Sequence, residues 1–138
     1  MNNFWIKFLL VMLCIFITNN IYASKLISNE EVRVQVSSMI ESLKPTLPQQ
    51  VDKNTTWFDM KPFGVRGLEY FYKVNMTKEQ ILKIPNVQTA LNNMQVKQYC
   101  TTSGLEGFRD EFVEMKWSYI DKNNENIFSL RANPNDCK

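Results

Sequence analysis

Phe8 to Ile17 is an unbroken apolar run of ten residues. One cation, Lys7, precedes it, and the polar stretch Thr18-Asn19-Asn20 and the small residue Ala23 follow. A cationic start, a short apolar core and a small residue before the cut describe a secretory leader. A membrane-spanning helix needs about 20 apolar residues, so this run is too short to be one. The expectation is a signal peptide over residues 1–23, cleaved after Ala23, then one domain over 24–138 with no stable membrane span. No other feature constrains the chain as much. It sets which residues are free to fold, and it places them in the periplasm or outside the cell, where thiols oxidise.

Cysteine chemistry follows from that placement. Cys14 lies in the apolar run behind Met12-Leu13, whereas a bacterial lipid-attachment cysteine follows small residues. It is expected to leave with the leader. Cys100 and Cys137 remain, and two cysteines in an exported domain read as one disulfide. The chain contains no histidine. That removes Ser-His-Asp and Cys-His catalysis and histidine-based zinc sites together. Without residues 1–23, 115 residues carry 15 basic and 14 acidic side chains, a balance that gives no field for nucleic acid.

The periodicities then order the elements. Ser28-x-x-Glu31 is a capping box, and Val32, Val36, Met39, Ile40 and Leu43 recur at helical spacing up to Lys44 and the stop at Pro45. Residues 45–54 read as an extended connection. Thr55 to Lys61 and Leu68 to Val74 read as an antiparallel hairpin, with Leu68, Tyr70, Tyr72 and Val74 on one face. Thr77-x-x-Gln80 opens a short helix, Pro85 interrupts it, and Asn86 is expected to cap a restart over 87–100 whose stripe is Val87, Ala90, Leu91 and Met94. A brief helical turn is expected over Leu105–Asp110. Glu111 to Ile120 is the strongest strand signal, with Val113, Met115, Trp117 and Tyr119 facing one way. Ile127 to Ala132 returns after the polar turn that begins at Asp121. The order predicts an α+β fold: about four antiparallel strands in two hairpins, helices on one face, and one disulfide.

Leu47-Pro48-x-x-Val51-Asp52-x-x-Thr55, Tyr70-x-Tyr72-x-Val74, Cys100-Thr101 and the terminal Asp136-Cys137 together resemble a broad set of small exported bacterial proteins. Those proteins share this LP..VD..T, Y.Y.V, C(S/T) and closing C pattern. The resemblance implies export, the disulfide and the α+β architecture, and carries no catalytic residue. Small disulfide-bonded pilot proteins of secretion systems share the size and compartment. They typically carry a lipid, for which Cys14 lacks the flanking residues.

Candidate sites are few. Asp110, Glu111 and Glu114 beside Arg109 are the carboxylates a small envelope hydrolase could use, but a carboxylate pair needs a cleft. Asp121-x-Asn123-x-Glu125 alternates oxygen ligands yet lacks the glycine and distal Glu of a calcium loop, so no metal or other cofactor is expected. Strict alternation along the first strand puts Trp57 on one face and Phe58 with Met60 on the other. That suggests an aromatic-Met patch rimmed by Lys61, Arg66 and Lys73 as a contact surface. The functional expectation is a non-enzymatic periplasmic or secreted protein-binding module: an inhibitor, an immunity or exclusion factor, or an envelope-assembly accessory. Its partner would be another envelope or secreted protein. The alternatives are the carboxylate hydrolase and a carrier of an apolar ligand between helix and sheet.

Overall fold

The computed structural model describes residues 26–138. The expected leader, residues 1–23, lies outside the described residues. Helix α1 (Asn29–Leu43) starts on its capping box: the Ser28 hydroxyl accepts from the Glu31 amide at 3.2 Å, and the Glu31 carboxylate accepts from the Ser28 amide at 2.7 Å. Val32, Val36 and Ile40 form its buried stripe.

Residues expected to be an extended connection contain a strand, β1 (Gln49–Asp52), paired antiparallel to β2 (Thr55–Phe63). All four β1 residues are exposed, so no apolar alternation marked it. Strand β3 (Gly67–Val74) completes the first hairpin. Helices α2 (Lys78–Leu82), α3 (Val87–Thr101) and α4 (Glu106–Asp110) follow, and β4 (Glu114–Ile120) and β5 (Asn126–Ala132) form the second hairpin.

The sheet has five strands in the order β1-β2-β3-β4-β5, one more than expected. It is mixed, because β3 and β4 run parallel from Gly67↔Glu114 to Lys73↔Ile120. The reason is the crossover: the helices between them carry the chain back to the end where β3 begins, and a parallel neighbour requires such a return. The fold class is α+β.

Three further expectations change. Asn86 sits in the left-handed region at φ 55° and makes no side-chain cap. The buried face of α3 is formed by Gln95 and Tyr99, while Met94 is 46% exposed. Gln95 Nε2 donates to the Tyr119 hydroxyl at 2.9 Å and Tyr99 Oη donates to the Val113 carbonyl at 2.8 Å, so this face is anchored by polar groups that an apolar periodicity overlooks. Strand β4 begins at Glu114, not Glu111, because the chain reverses at Phe112.

The helices cover one face of the sheet. Under α1, a first core cluster gathers Val32, Val36, Ile40, Met60, Leu68 and Val113. Under α3, a second gathers Tyr99, Met115, Trp117, Tyr119, Leu130 and Ala132. Tyr70 and Phe108 pack against both. Cys100 and Cys137 are disulfide-bonded, with Cα atoms 5.3 Å apart. Among the described residues, no helix is long and apolar enough to cross a membrane.

Candidate functional site

The six residues of the expected contact patch separate. A β-bulge between Trp57 and Asp59 sets two residues of β2 against one of β3. A one-residue slip turns the following side chains to the other face. Met60 therefore joins Trp57 on the helix-covered side and is fully buried. Trp57 packs on Tyr70 with centroids 5.3 Å apart, and its Nε1 donates to the Asp59 carbonyl at 3.0 Å.

Phe58, Lys61 and Lys73 lie on the uncovered face. Two of its three aromatics are capped by cations: Lys61 lies 5.0 Å from the Phe71 centroid, and Lys116 and Arg131 each lie 4.8 Å from that of Phe63, while Phe58 packs on Phe71 with centroids 6.2 Å apart. Lys116 pairs with Glu69 at 2.9 Å, and Arg131 with Glu114 at 3.7 Å. This face satisfies itself.

Arg66 is no rim residue. Its Nε and Nη2 donate to the Glu111 carbonyl at 2.9 and 2.7 Å, Nη2 donates to Glu111 Oε2 at 3.1 Å, and Nη1 donates to the Ile27 carbonyl and Asn29 Oδ1 at 2.9 Å each. Glu111 Oε2 also accepts from the Ile27 amide at 3.0 Å. One guanidinium thus ties the β2–β3 turn, the segment leading into α1 and the end of α4. Arg66→Ala is expected to lower stability by about 2–3 kcal/mol, since it strands part-buried carbonyls and a charged partner. Arg66→Lys should recover little, because an ammonium cannot reproduce the fork. Urea midpoints of the three proteins test this; a Lys replacement as stable as the wild type would reject the geometric argument.

The same lock forms one wall of a groove of about 370 Å³ between α1 and α4. Ile27, Val32, Val36, Phe108 and Val113 give it an apolar lining, and Gln35 and Glu111 are its polar members. Gly104 and Gly107 complete it. Neither glycine has a positive φ, and an added Cβ at either would meet nothing within 4 Å. No backbone or packing requirement of the chain explains them. Gly107 lies within α4, where glycine costs roughly 1 kcal/mol against alanine.

Beside the groove, α4 ends in a Schellman turn: the Val113 amide donates to the Phe108 carbonyl at 2.8 Å and the Phe112 amide to the Arg109 carbonyl at 3.2 Å. The left-handed residue of such a turn is usually glycine. Here it is Phe112, at φ 51° and 49% exposed. Both its backbone and its exposure run against stability.

The chemistry-bearing residues do not converge. Glu111 is held in the Arg66 lock, and Glu114 lies on the uncovered sheet face opposite Arg131. Asp121 is buried and accepts from the Asn123, Glu125 and Lys78 amides at 2.8, 2.8 and 3.0 Å. Burial pushes its pKa up, but those amide donors outweigh burial and hold it below 3.8. Its carboxylate thus closes the hairpin turn onto the start of α2. Burial pushes the Tyr70 phenol up to about 12 and the Tyr72 phenol further, so both stay protonated at neutral pH. Among the described residues, no cluster of three or more Cys, Asp or Glu side chains could hold a metal ion.

No family model and no curated protein sequence matches the chain. Solved structures do. A proposed secreted protein of Pseudomonas aeruginosa superposes with a TM-score of 0.70 at 10% identity, covering 83% of this chain and 100% of its own. The pilotin EpsS of the Vibrio vulnificus type 2 secretion system gives 0.65 at 13% identity, over 80% and 94% of the two chains. The type II secretion pilotin AspS of Vibrio cholerae gives 0.60 at 10%, over 79% and 94%. At these identities the likeness establishes a shared fold.

Proposed function

We propose that this chain is an exported, non-enzymatic accessory of the bacterial envelope that holds a segment of another envelope protein in the groove between α1 and α4. The observation that carries the reading is the groove's glycine wall. Gly104 and Gly107 leave open space that the chain itself does not use, Gly107 at a cost in helix stability, where an incoming backbone could approach closely. The exposed, left-handed Phe112 beside it supports the same reading. So does the fold shared with two pilotins and a proposed secreted protein. An envelope-assembly accessory fits these observations better than an inhibitor or an immunity factor.

Capture from an envelope extract provides the test, with the wild type, Gly107→Leu and Phe112→Gly as baits. Gly107→Leu fills the groove, and Phe112→Gly relieves the left-handed residue while removing the exposed ring. The wild type is expected to recover a stoichiometric protein partner, and both variants are expected to lose most of it while melting no lower than the wild type. A blank with wild-type bait at micromolar concentration, or equal recovery by all three, defeats the reading.

A further inference from the structure

A second surface lies at the far end of the sheet, where the β1–β2 turn, the end of β3 and the β4–β5 turn meet. Gln50, Thr56 and Lys73 stand in one row across three strands, since Gln50 pairs with Thr56 and Thr56 with Lys73. Lys53, Asn54, Asn75 and Lys122 come from the adjoining turns. These seven side chains line an open pocket of about 330 Å³. Three are lysines, three are amides, one is a hydroxyl, and none is a carboxylate. That is a marked local bias in a chain with 16 basic and 14 acidic residues.

The arrangement is held before any ligand arrives. The Asn75 amide donates to the Asn54 carbonyl at 2.8 Å and the Lys122 amide to the Met76 carbonyl at 3.0 Å, which fixes the three turns against one another. Lys73 Nζ donates to Asn124 Oδ1 at 2.8 Å, which restrains its ammonium. Two acids border this corner, Asp52 facing Lys53 and Asp121 facing Lys73, and both are held by backbone amides. Asp52 Oδ1 accepts from the Asn54 amide at 2.8 Å, and Asp121 is buried on three backbone amides. Both carboxylates accept from backbone donors, and the pocket lining itself holds three cations and no anion.

We infer that this corner binds an oxyanion of the phosphate class, with Lys53, Lys73 and Lys122 supplying charge and Thr56 with the three amides supplying directed hydrogen bonds. Lysine suits such a ligand as a point charge, and charge-assisted hydrogen bonds are about twice as strong as neutral ones. The phosphate could belong to a small soluble ester or to a phospholipid headgroup, and the chemistry is the same.

The experiment titrates the full folded domain with pyrophosphate at low ionic strength, following amide chemical shifts, and separately sediments it with vesicles of phosphatidylcholine with or without phosphatidylglycerol. Lys53→Gln/Lys122→Gln removes two cations and leaves the Lys73–Asn124 bond in place. Lys61→Gln/Lys97→Gln removes the same charge outside the pocket. Saturable binding that falls about tenfold in the first variant and stays within about twofold in the second supports the site. Binding of pyrophosphate alone assigns a soluble ligand; lysine-dependent binding of the charged vesicles alone assigns a headgroup. No saturable binding of either probe, or equal loss in both variants, overturns the inference.

Discussion

Breaking the Cys100–Cys137 bond is expected to remove about 4 kcal/mol of stability and to lower Tm by about 10 °C or more. The cysteines are 37 residues apart, and the loss of loop-closure entropy in the unfolded chain grows with the logarithm of that separation. The location adds to the effect. Cys100 ends α3, and Cys137 follows the last strand and a short 3-10 turn over Pro134–Asp136, so the bond seals the second core cluster at its rim. Thermal melts with and without reductant, and of the Cys100→Ala/Cys137→Ala double variant, measure it. Coincident melts would show that the cross-link contributes nothing.

Gly67→Ala should be nearly as damaging, at about 3 kcal/mol or more. Gly67 is buried where two backbones close in on it: a Cβ there would lie 2.3 Å from the Phe63 carbonyl oxygen, 2.9 Å from Phe63 Cδ1 and 3.2 Å from the Glu114 carbonyl oxygen. Phe63 is its antiparallel neighbour and Glu114 its parallel one, so relief on one side closes the other. Two further glycines make the control. Gly64→Ala has open space but a φ of +56°, and should cost about 1–2 kcal/mol in backbone strain. Gly107→Ala has open space and no positive φ, and should gain up to about 1 kcal/mol of helix propensity. Urea midpoints for the three variants should fall in that order. A Gly67→Ala protein within 1 kcal/mol of wild type would contradict the crowding.

Much of the scaffold was legible because it rests on local rules. The boxes at Ser28 and Thr77 and the alternations around Tyr70 and Trp117 each need only a few neighbouring residues, and each is where the spacing puts it. What escaped depends on partners distant in sequence. Strand β1 is polar and exposed, and exists because β2 offers it an edge. The bulge after Trp57 leaves no mark in an aromatic-rich run, yet it moves Met60 from a proposed surface to the core. The parallel β3–β4 joint follows from how the crossover helices pack. Of the groove, the sequence carries one clue: Gly104 and Gly107 stand in and beside a segment that reads as helical, where glycine is disfavoured. Their meaning needs α1 opposite, roughly 70 residues away in sequence.

The parallel β3–β4 joint also sets a timetable for assembly. Each hairpin pairs residues close in sequence and can zip as soon as its own turn forms, whereas Gly67 meets Glu114 only after the intervening helices have been placed. Contacts between sequence-distant segments must meet their entropic cost before they return anything, so this seam is expected to close after the two hairpins. Until it closes, the inner edges of β3 and β4 are both unpaired, and a nascent chain is most open to pairing with the wrong strand.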